Sequence, residues 1–195
     1  VKVAKLATST ELDFGIVAMG RYGGGELGFG SDADVMFVYI SDDEQAQPMA
    51  EKLAATLLTL VADSILNFEL DLDLRPEGKN GPRVKSLAAY RGYYEKWAET
   101  WELQALLRAR LVSGSVGLQS EFLALIDPYR YLEDVTQKQL TEIRLVKARV
   151  ENERIPAGVA PNRHLKLGPG GLSDVEWLVQ VMQLRFAFQH EGLRS

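Results

Sequence analysis

The chain has 195 residues and no cysteine, and its 27 acidic and 22 basic side chains give a formal net charge of −5 at pH 7. The lack of cysteine excludes disulfides and thiolate metal sites. The acidic balance disfavours a long nucleic acid as substrate, because proteins that bind such polymers usually present a basic face. No apolar run approaches the roughly 18 residues of a membrane-spanning helix. We therefore expect a cytoplasmic protein with no membrane or nucleic acid partner.

Two short apolar runs near the start of the chain predict strands of a sheet core. FGIVAM (14–19) and VMFVYI (35–40) are rich in β-branched and aromatic side chains, as buried strands are. From Pro48 to Asn67 the apolar positions recur on one helical face. This periodicity predicts a helix, and Pro48 suits its first turn.

The next segment alternates between apolar and charged residues. FELDLDLR (68–75) has the period of a strand, which predicts that Glu69, Asp71, Asp73 and Arg75 share one face. RPEGKNGP (75–82) is rich in glycine and proline and predicts a turn.

Helical periodicity dominates after this turn. The predicted helices cover about 86–112, 115–126, 134–154 and 172–190. Because strands come first and helices later, the sequence predicts an α+β organisation. We place a core domain at residues 1–114 and a helical segment, the start of a longer bundle, at residues 115–195.

A glycine-rich stretch separates the first two predicted strands. GRYGGGELGFGSDADV (20–35) contains six glycines and two aspartates. Part of it, GGGELG (23–28), matches G-x-G-x-x-G, but the next strand begins only seven residues later. A dinucleotide fold needs a crossover of at least about 10–12 residues, so that interpretation fails. No Gly-Lys-Ser/Thr follows, which excludes a Walker loop. A calcium loop from Asp32 would need glycine where Phe37 stands.

The remaining interpretation is a site for phosphate and metal. Glycines let backbone N–H groups approach a polyphosphate closely. Asp32 and Asp34 lie two residues apart at the start of a strand, so both carboxylates project from one face, and such ligands suit Mg²⁺. Asp71 supplies a third carboxylate for a two-metal phosphoryl-transfer site. The alternative is that the paired aspartates are only turn residues; the glycines and the buried strand beside them favour the site.

Four motifs in this order make the sequence resemble a known family. They are G-R-Y-G-G-G-E-L-x-x-x-S-D-A-D, LDLDLRPEGKNGP (70–82), TWELQALLRARLVSG (100–114) and HLKLGPGGLSDVEWLVQ (164–180). This set resembles the glutamate–ammonia-ligase adenylyltransferases, which adenylylate and deadenylylate glutamine synthetase. The resemblance implies a polymerase-β-like nucleotidyltransferase fold, an α+β fold with a small mixed sheet, followed by a helical continuation. It also implies Mg²⁺ as cofactor and ATP as substrate.

The resemblance assigns roles to the carboxylates. Asp32, Asp34 and Asp71 carry over as the catalytic, metal-binding residues, whereas Asp73 stands where many relatives have arginine. The implied reaction moves AMP from ATP to a tyrosine of glutamine synthetase and releases pyrophosphate. In the full-length enzyme, the PII signal protein is the implied regulator.

Other residues are candidates for contact with the nucleotide. They are Gly23, Gly24, Gly25, Ser31, Arg75 and Lys166. Arg75 either meets the triphosphate charge or pairs with Glu69 or Asp73 on its strand. Lys166 either serves an anion near the N-terminus of the following helix or is an ordinary loop residue.

Two alternatives remain open at this stage. The family has one half that attaches AMP and one that removes it by phosphorolysis. GFGSDAD and GGLSDVEW resemble the attaching half, because the removing half more often reads NFSSD and IREIE. The other alternative is a nucleotide-binding regulatory module without catalysis, against which the three carboxylates argue.

Overall fold

The computed structural model of the chain describes residues 1–2, 4–5, 12–28, 31–43, 45–62 and 68–194. Within these ranges the chain forms five β-strands and seven α-helices. The strands are β1 (Asp13–Ala18), β2 (Ala33–Ile40), β3 (Leu70–Asp71), β4 (Val84–Ser86) and β5 (Arg110–Ser113). The helices are α1 (Gly20–Gly23), α2 (Ala46–Val61), α3 (Leu87–Trp97), α4 (Thr100–Leu106), α5 (Val116–Arg130), α6 (Gln137–Glu153) and α7 (Leu172–Phe186). None of these helices is long and apolar enough to cross a membrane.

The chain divides into two compact units. The first unit comprises Val1–Ala98 and Arg108–Asp127, and the second comprises Glu99–Leu107 and Pro128–Ser195. All five described strands belong to the first unit, whereas the described secondary structure of the second unit is helical. The predicted boundary between residues 114 and 115 therefore lies inside the first unit of this division.

The five described strands form one small mixed sheet. Their order is β3-β2-β1-β5, and β4 also pairs with β2. β1 is antiparallel to β2 and β5, whereas β2 is parallel to β3 and β4. The antiparallel pairing of β1 with β2 agrees with the rejection of a dinucleotide crossover between them. Mixed sheet and flanking helices together confirm the predicted α+β fold class.

Both faces of the central strands are buried. On one face, Phe14, Phe37 and Tyr39 belong to an apolar cluster with Leu53 and Leu57 of α2. The alternate strand residues, among them Met36 and Val38, are also fully buried. Burial on both sides explains why β1 and β2 are continuous apolar runs, which is the feature that made them predictable.

The helix predicted from Pro48 to Asn67 is present as α2, which begins at Ala46 and ends at Val61. Pro48 lies in its first turn, as expected. The end of the prediction, residues 63–67, lies outside the described residues.

The strand predicted over residues 68–75 is wrong beyond Asp71. β3 ends there because the Asp71 side chain accepts a hydrogen bond from the Asp73 N–H at 2.7 Å, which turns the chain. A second turn bond, from the Arg75 N–H to the Leu72 carbonyl at 3.1 Å, continues the bend. Asp71, Asp73 and Arg75 therefore do not share one strand face.

The single helix predicted over residues 86–112 is also wrong. Glu99 and Glu102 form a capping box that starts α4 after a break at the end of α3. Beyond α4, the residues of β5 pair with the edge of β1, with Leu111 opposite Val17. The strand β4, just before α3, was not predicted.

Tyr90 of α3 ties its helix to the middle of the sheet. The buried hydroxyl donates a hydrogen bond to the Phe37 carbonyl at 3.0 Å. The Tyr90 ring packs edge-on against Phe122, with ring centroids 6.2 Å apart. Burial raises the pKa of the Tyr90 hydroxyl, so the group is a neutral donor at physiological pH.

Replacing Tyr90 with phenylalanine keeps the ring and removes only this hydrogen bond. We expect the free energy of unfolding, measured by urea denaturation, to fall by about 1–2 kcal/mol, because a buried carbonyl loses a partner. Tyr39→Phe is the matched control, since the Tyr39 hydroxyl bonds the Gln47 side chain at a partly buried position. An equal or larger loss in the control would contradict the role given to Tyr90.

Candidate functional site

Two of the three carboxylates predicted from the sequence, Asp34 and Asp71, lie at paired positions where β2 and β3 begin. Asp34 is the second residue of β2, and it stands opposite Asp71 in the parallel register of the two strands. Asp32 lies two residues before Asp34 and is exposed. Residues at paired positions of adjacent strands present their side chains to the same face. The structure thus brings Asp34 and Asp71 together.

The start of α1 packs directly against Asp34. The Met19 N–H donates to the Asp34 carbonyl at 2.8 Å. Gly20, the next residue, has a φ of +50°, and a Cβ added there would collide with a carboxylate oxygen of Asp34. Only glycine combines this backbone conformation with this close approach. The motif therefore needs glycine at position 20, because any side chain there would displace the Asp34 carboxylate.

The glycine loop, residues 20–28, closes on itself through its own amides. The N–H groups of Gly23, Gly24 and Gly25 donate to main-chain carbonyls at 2.7, 3.1 and 3.2 Å. Ser31 likewise donates its N–H to the Gly28 carbonyl at 3.2 Å. In this conformation these amides already have main-chain partners. Their contact with a nucleotide stays a prediction.

Two arginines contact the glycine loop: Arg110, the first residue of β5, and Arg108, two residues before it. Neither has a role predicted from the sequence. Arg110 donates to the Gly23 carbonyl at 3.1 Å and to the Tyr22 carbonyl at 3.3 Å. Arg108 forms an ion pair of 2.6 Å with Glu26. Both arginines lie in the motif TWELQALLRARLVSG. Because this segment is predicted from the sequence to be helical, the prediction misses the contact of the arginines with the loop.

Arg75 is buried and donates its hydrogen bonds to main-chain carbonyls. Its guanidinium reaches the carbonyls of Leu72 at 2.7 Å and of Pro82 at 3.1 Å. One expected partner, Asp73, pairs with Lys79 at 3.2 Å. The structure thus gives Arg75 the task of holding the loop that follows β3. Its contact with a triphosphate stays a prediction.

Lys166 belongs to the second unit and lies in the loop before α7. This loop is tightly turned, because the Gly168 N–H donates to the His164 carbonyl at 2.7 Å and the Ser173 N–H donates to the Lys166 carbonyl at 2.9 Å. The same loop borders a cleft of about 300 Å³. Its lining residues are Asn162, His164, Leu165, Pro169, Gly170, Gly171, Leu172 and Val175. The Lys166 side chain is exposed, and its role with an anion stays a prediction.

Asp174 anchors the loop before α7 to α6. Its carboxylate accepts the Gly170 N–H at 2.7 Å and pairs with Lys147, which also pairs with Glu151. The hydrogen bonds from Lys147 and from Gly170 lower the pKa of Asp174. Burial alone would lower the pKa of Lys147, but the hydrogen bonds and charges of Asp174 and Glu151 outweigh it and raise that pKa.

Because of the Asp174 ion pair, we expect the free energy of unfolding to depend on pH. Because the pKa of Asp174 is lowered in the folded chain, its contribution is present above about pH 4, the ordinary aspartate value, and is lost as the pH falls through the folded pKa. Asp174→Asn should therefore destabilise the chain at neutral pH and matter progressively less below pH 4. The measurement is urea denaturation across this range, with Glu153→Gln, at an exposed position of α6, as control. Curves for wild type and Asp174→Asn that run parallel from neutral to acidic pH would contradict this account.

The donor chemistry of the carboxylates fits Mg²⁺. This ion commonly takes one or two carboxylates and completes its shell with substrate phosphates and water. Asp34 and Asp71, opposed on neighbouring strands, supply such a pair. No group of three or more acidic, histidine or cysteine residues in the described ranges is gathered closely enough to hold a metal without a substrate. The metal role of Asp32, Asp34 and Asp71 accordingly stays a prediction.

The mixed sheet, the glycine loop and the adjacent carboxylates define a nucleotidyltransferase-like domain. A family model described as glutamate-ammonia ligase adenylyltransferase matches residues 2–125, more than half of the chain. A second one, described as GlnD PII-uridylyltransferase, matches residues 136–194. The chain belongs to the glutamate-ammonia ligase adenylyltransferase family, which confirms the resemblance drawn from its motifs.

Individual relatives support this assignment. A protein of Leifsonia xyli subsp. xyli is 51% identical over 187 residues, which cover 94% of this chain and 19% of the relative. Relatives from Mycobacterium bovis and Cutibacterium acnes are each 50% identical, over 92% and 100% of this chain and over 19% and 20% of their own lengths. All three are named bifunctional glutamine synthetase adenylyltransferase/adenylyl-removing enzyme. The chain spans about a fifth of the length of these relatives.

Proposed function

We propose that the first unit transfers AMP from ATP to a tyrosine hydroxyl of glutamine synthetase and releases pyrophosphate. The observation that carries this proposal is the pairing of Asp34 with Asp71 beside the glycine loop, in a chain about half identical to proteins named for that activity. The whole protein's regulation by the PII signal protein, implied by the family resemblance, belongs to the same proposal.

The residues of the first unit have distinct tasks in this reaction. Asp32, Asp34 and Asp71 would hold Mg²⁺, which when bound neutralises phosphate charge and favours departure of pyrophosphate. Asp71 accepts the proton of the tyrosine hydroxyl as its oxygen forms a bond to the α-phosphorus of ATP. The bond from that phosphorus to the bridging oxygen breaks, and pyrophosphate leaves with the electron pair. Gly24 and Gly25, both exposed and without side chains, let the polyphosphate lie close to the main chain.

The second candidate function is the removal of AMP from adenylylated glutamine synthetase, because the relatives' names include adenylyl removal. Two parallel incubations of the 195-residue chain separate the candidates. With ATP and unmodified glutamine synthetase, the attaching activity makes adenylylated glutamine synthetase and pyrophosphate. With adenylylated glutamine synthetase and phosphate, it should make little ADP. The opposite pattern of products would assign the chain to the removing half. If neither incubation yields product and ATP–pyrophosphate exchange is absent, but the chain still binds ATP, it is a nucleotide-binding module without catalysis.

A further inference from the structure

Two arginines hold the glycine loop in different ways. Arg110 uses two nitrogens of its guanidinium, Nε and Nη2, for the carbonyls of Gly23 and Tyr22. Arg108 pairs with the carboxylate of Glu26, at the far end of the loop. The charge of Arg108 is therefore balanced by a carboxylate. Arg110 donates to neutral carbonyls, and within the described part of the chain it forms no ion pair with a carboxylate.

This difference matters because of what surrounds the loop. The amides of Gly23, Gly24 and Gly25 are engaged in the loop's own hydrogen bonds, so they give an anion little help in this conformation. Asp34 lies directly against Gly20, at the start of α1, and adds negative charge. A carbonyl oxygen turned toward a triphosphate would add further repulsion. A cation bonded to two loop carbonyls removes that repulsion and offers attraction.

Close packing fixes the same part of the loop. A Cβ added at Gly23 would collide with the Arg108 carbonyl and would lie 2.7 Å from the Ala18 carbonyl. The main chain at Gly23 is thus pressed between β1 and the segment that leads into β5. Arg110 therefore bonds the loop at Gly23, where the main chain is closely packed.

We propose that Arg110 is a positioning residue that holds the glycine loop through the Tyr22 and Gly23 carbonyls and so favours binding of the ATP phosphates. The inference rests on the proposed function for its nucleotide part. Arg108 is paired with Glu26, so it contributes to the shape of the loop and much less to the binding of an anion.

Three variants of the 195-residue chain test this inference. Arg110→Gln removes the charge and the two-point contact. Arg110→Lys keeps the charge but cannot make both bonds in a fixed fork. Arg91→Gln, at an exposed position of α3, is the control for loss of one arginine. The readouts are KM and kcat for ATP in AMP transfer, and amide hydrogen exchange in residues 20–28 compared with β2.

In Arg110→Gln we expect faster exchange of the loop amides with unchanged exchange in β2. The KM for ATP should rise about tenfold or more, as for loss of a charged hydrogen bond, while kcat changes much less. Arg110→Lys should show the faster loop exchange with a smaller rise in KM. Arg91→Gln should resemble wild type in both readouts.

The inference is overturned if Arg110→Gln leaves loop exchange at the wild-type rate, or if loop exchange accelerates while the KM for ATP stays at the wild-type value. It is also overturned if exchange accelerates equally in β2 and the loop, because that result shows only a loss of stability. A wild-type chain that neither binds ATP nor transfers AMP would overturn the proposed function and the nucleotide part of this inference. Even then, faster exchange of the loop amides in Arg110→Gln would support the structural part of the inference, that Arg110 restrains the loop. Unchanged exchange would refute that part.

Discussion

Replacing Asp34 with asparagine is expected to lower the rate of AMP transfer by about 1,000-fold or more and to leave the chain folded. The substitution keeps the size of a side chain that packs against Gly20, but it removes the anionic ligand. A carboxylate that holds Mg²⁺ supports charge stabilisation of several kcal/mol, and each ~1.4 kcal/mol is tenfold in rate. Asp32→Asn should show a loss of similar size. The measurement is the initial rate of pyrophosphate release with ATP, Mg²⁺ and glutamine synthetase.

Two controls make the Asp34 result specific. Asp42→Asn, at an exposed position just after β2, changes the net charge equally and should keep wild-type activity. Gly20→Ala should displace the Asp34 carboxylate without removing it, because both the positive φ and the added Cβ oppose the present arrangement. Near-normal turnover in a folded Asp34→Asn chain would show that the metal assignment is wrong.

The second large effect is expected at Asp71 and not at its neighbour Asp73. Asp71→Asn loses the anionic ligand opposite Asp34, yet its amide oxygen still accepts the Asp73 N–H that ends β3. Activity should therefore fall nearly as far as in Asp34→Asn, with the local turn intact. Asp73 lies in that turn and pairs with Lys79, whose side chain is 81% exposed. Such surface pairs contribute about 0–1 kcal/mol, so Asp73→Asn should cost little.

Titration of both variants with Mg²⁺ decides between them. Asp71→Asn should require more Mg²⁺ for its residual activity, whereas Asp73→Asn should follow the wild-type curve. A greater loss in Asp73→Asn than in Asp71→Asn would mean that the third carboxylate of the site has been misidentified.

The parts of the fold that were predictable are those that depend on local pattern. β1 and β2 are buried on both faces, so their composition alone distinguished them as core strands. α2 has a continuous apolar face, and a proline near its start marked the first turn. The placement of two aspartates at the start of β2 followed directly from the position of that strand.

Other parts depend on contacts between distant residues. β5 is four residues long, and it is a strand because it pairs with β1, far away in the sequence. The contacts of Arg108 and Arg110 with the glycine loop join residues 82 to 88 positions apart. No local periodicity carries such information. The alternating run at 68–75 misled for a different reason, because the Asp71 side chain bonds the main chain two residues ahead and ends the strand.

The proposed attachment of AMP to a protein tyrosine, through the carboxylates beside the glycine loop, can be measured directly. The most direct measurement is incubation of the chain with ATP labelled at the α-phosphate, Mg²⁺ and unmodified glutamine synthetase, followed by identification of the labelled residue. We expect label on a tyrosine of glutamine synthetase with the wild-type chain and almost none with Asp34→Asn. Equal labelling by the two chains, or no label on tyrosine with an intact and folded wild-type chain, would contradict the proposal.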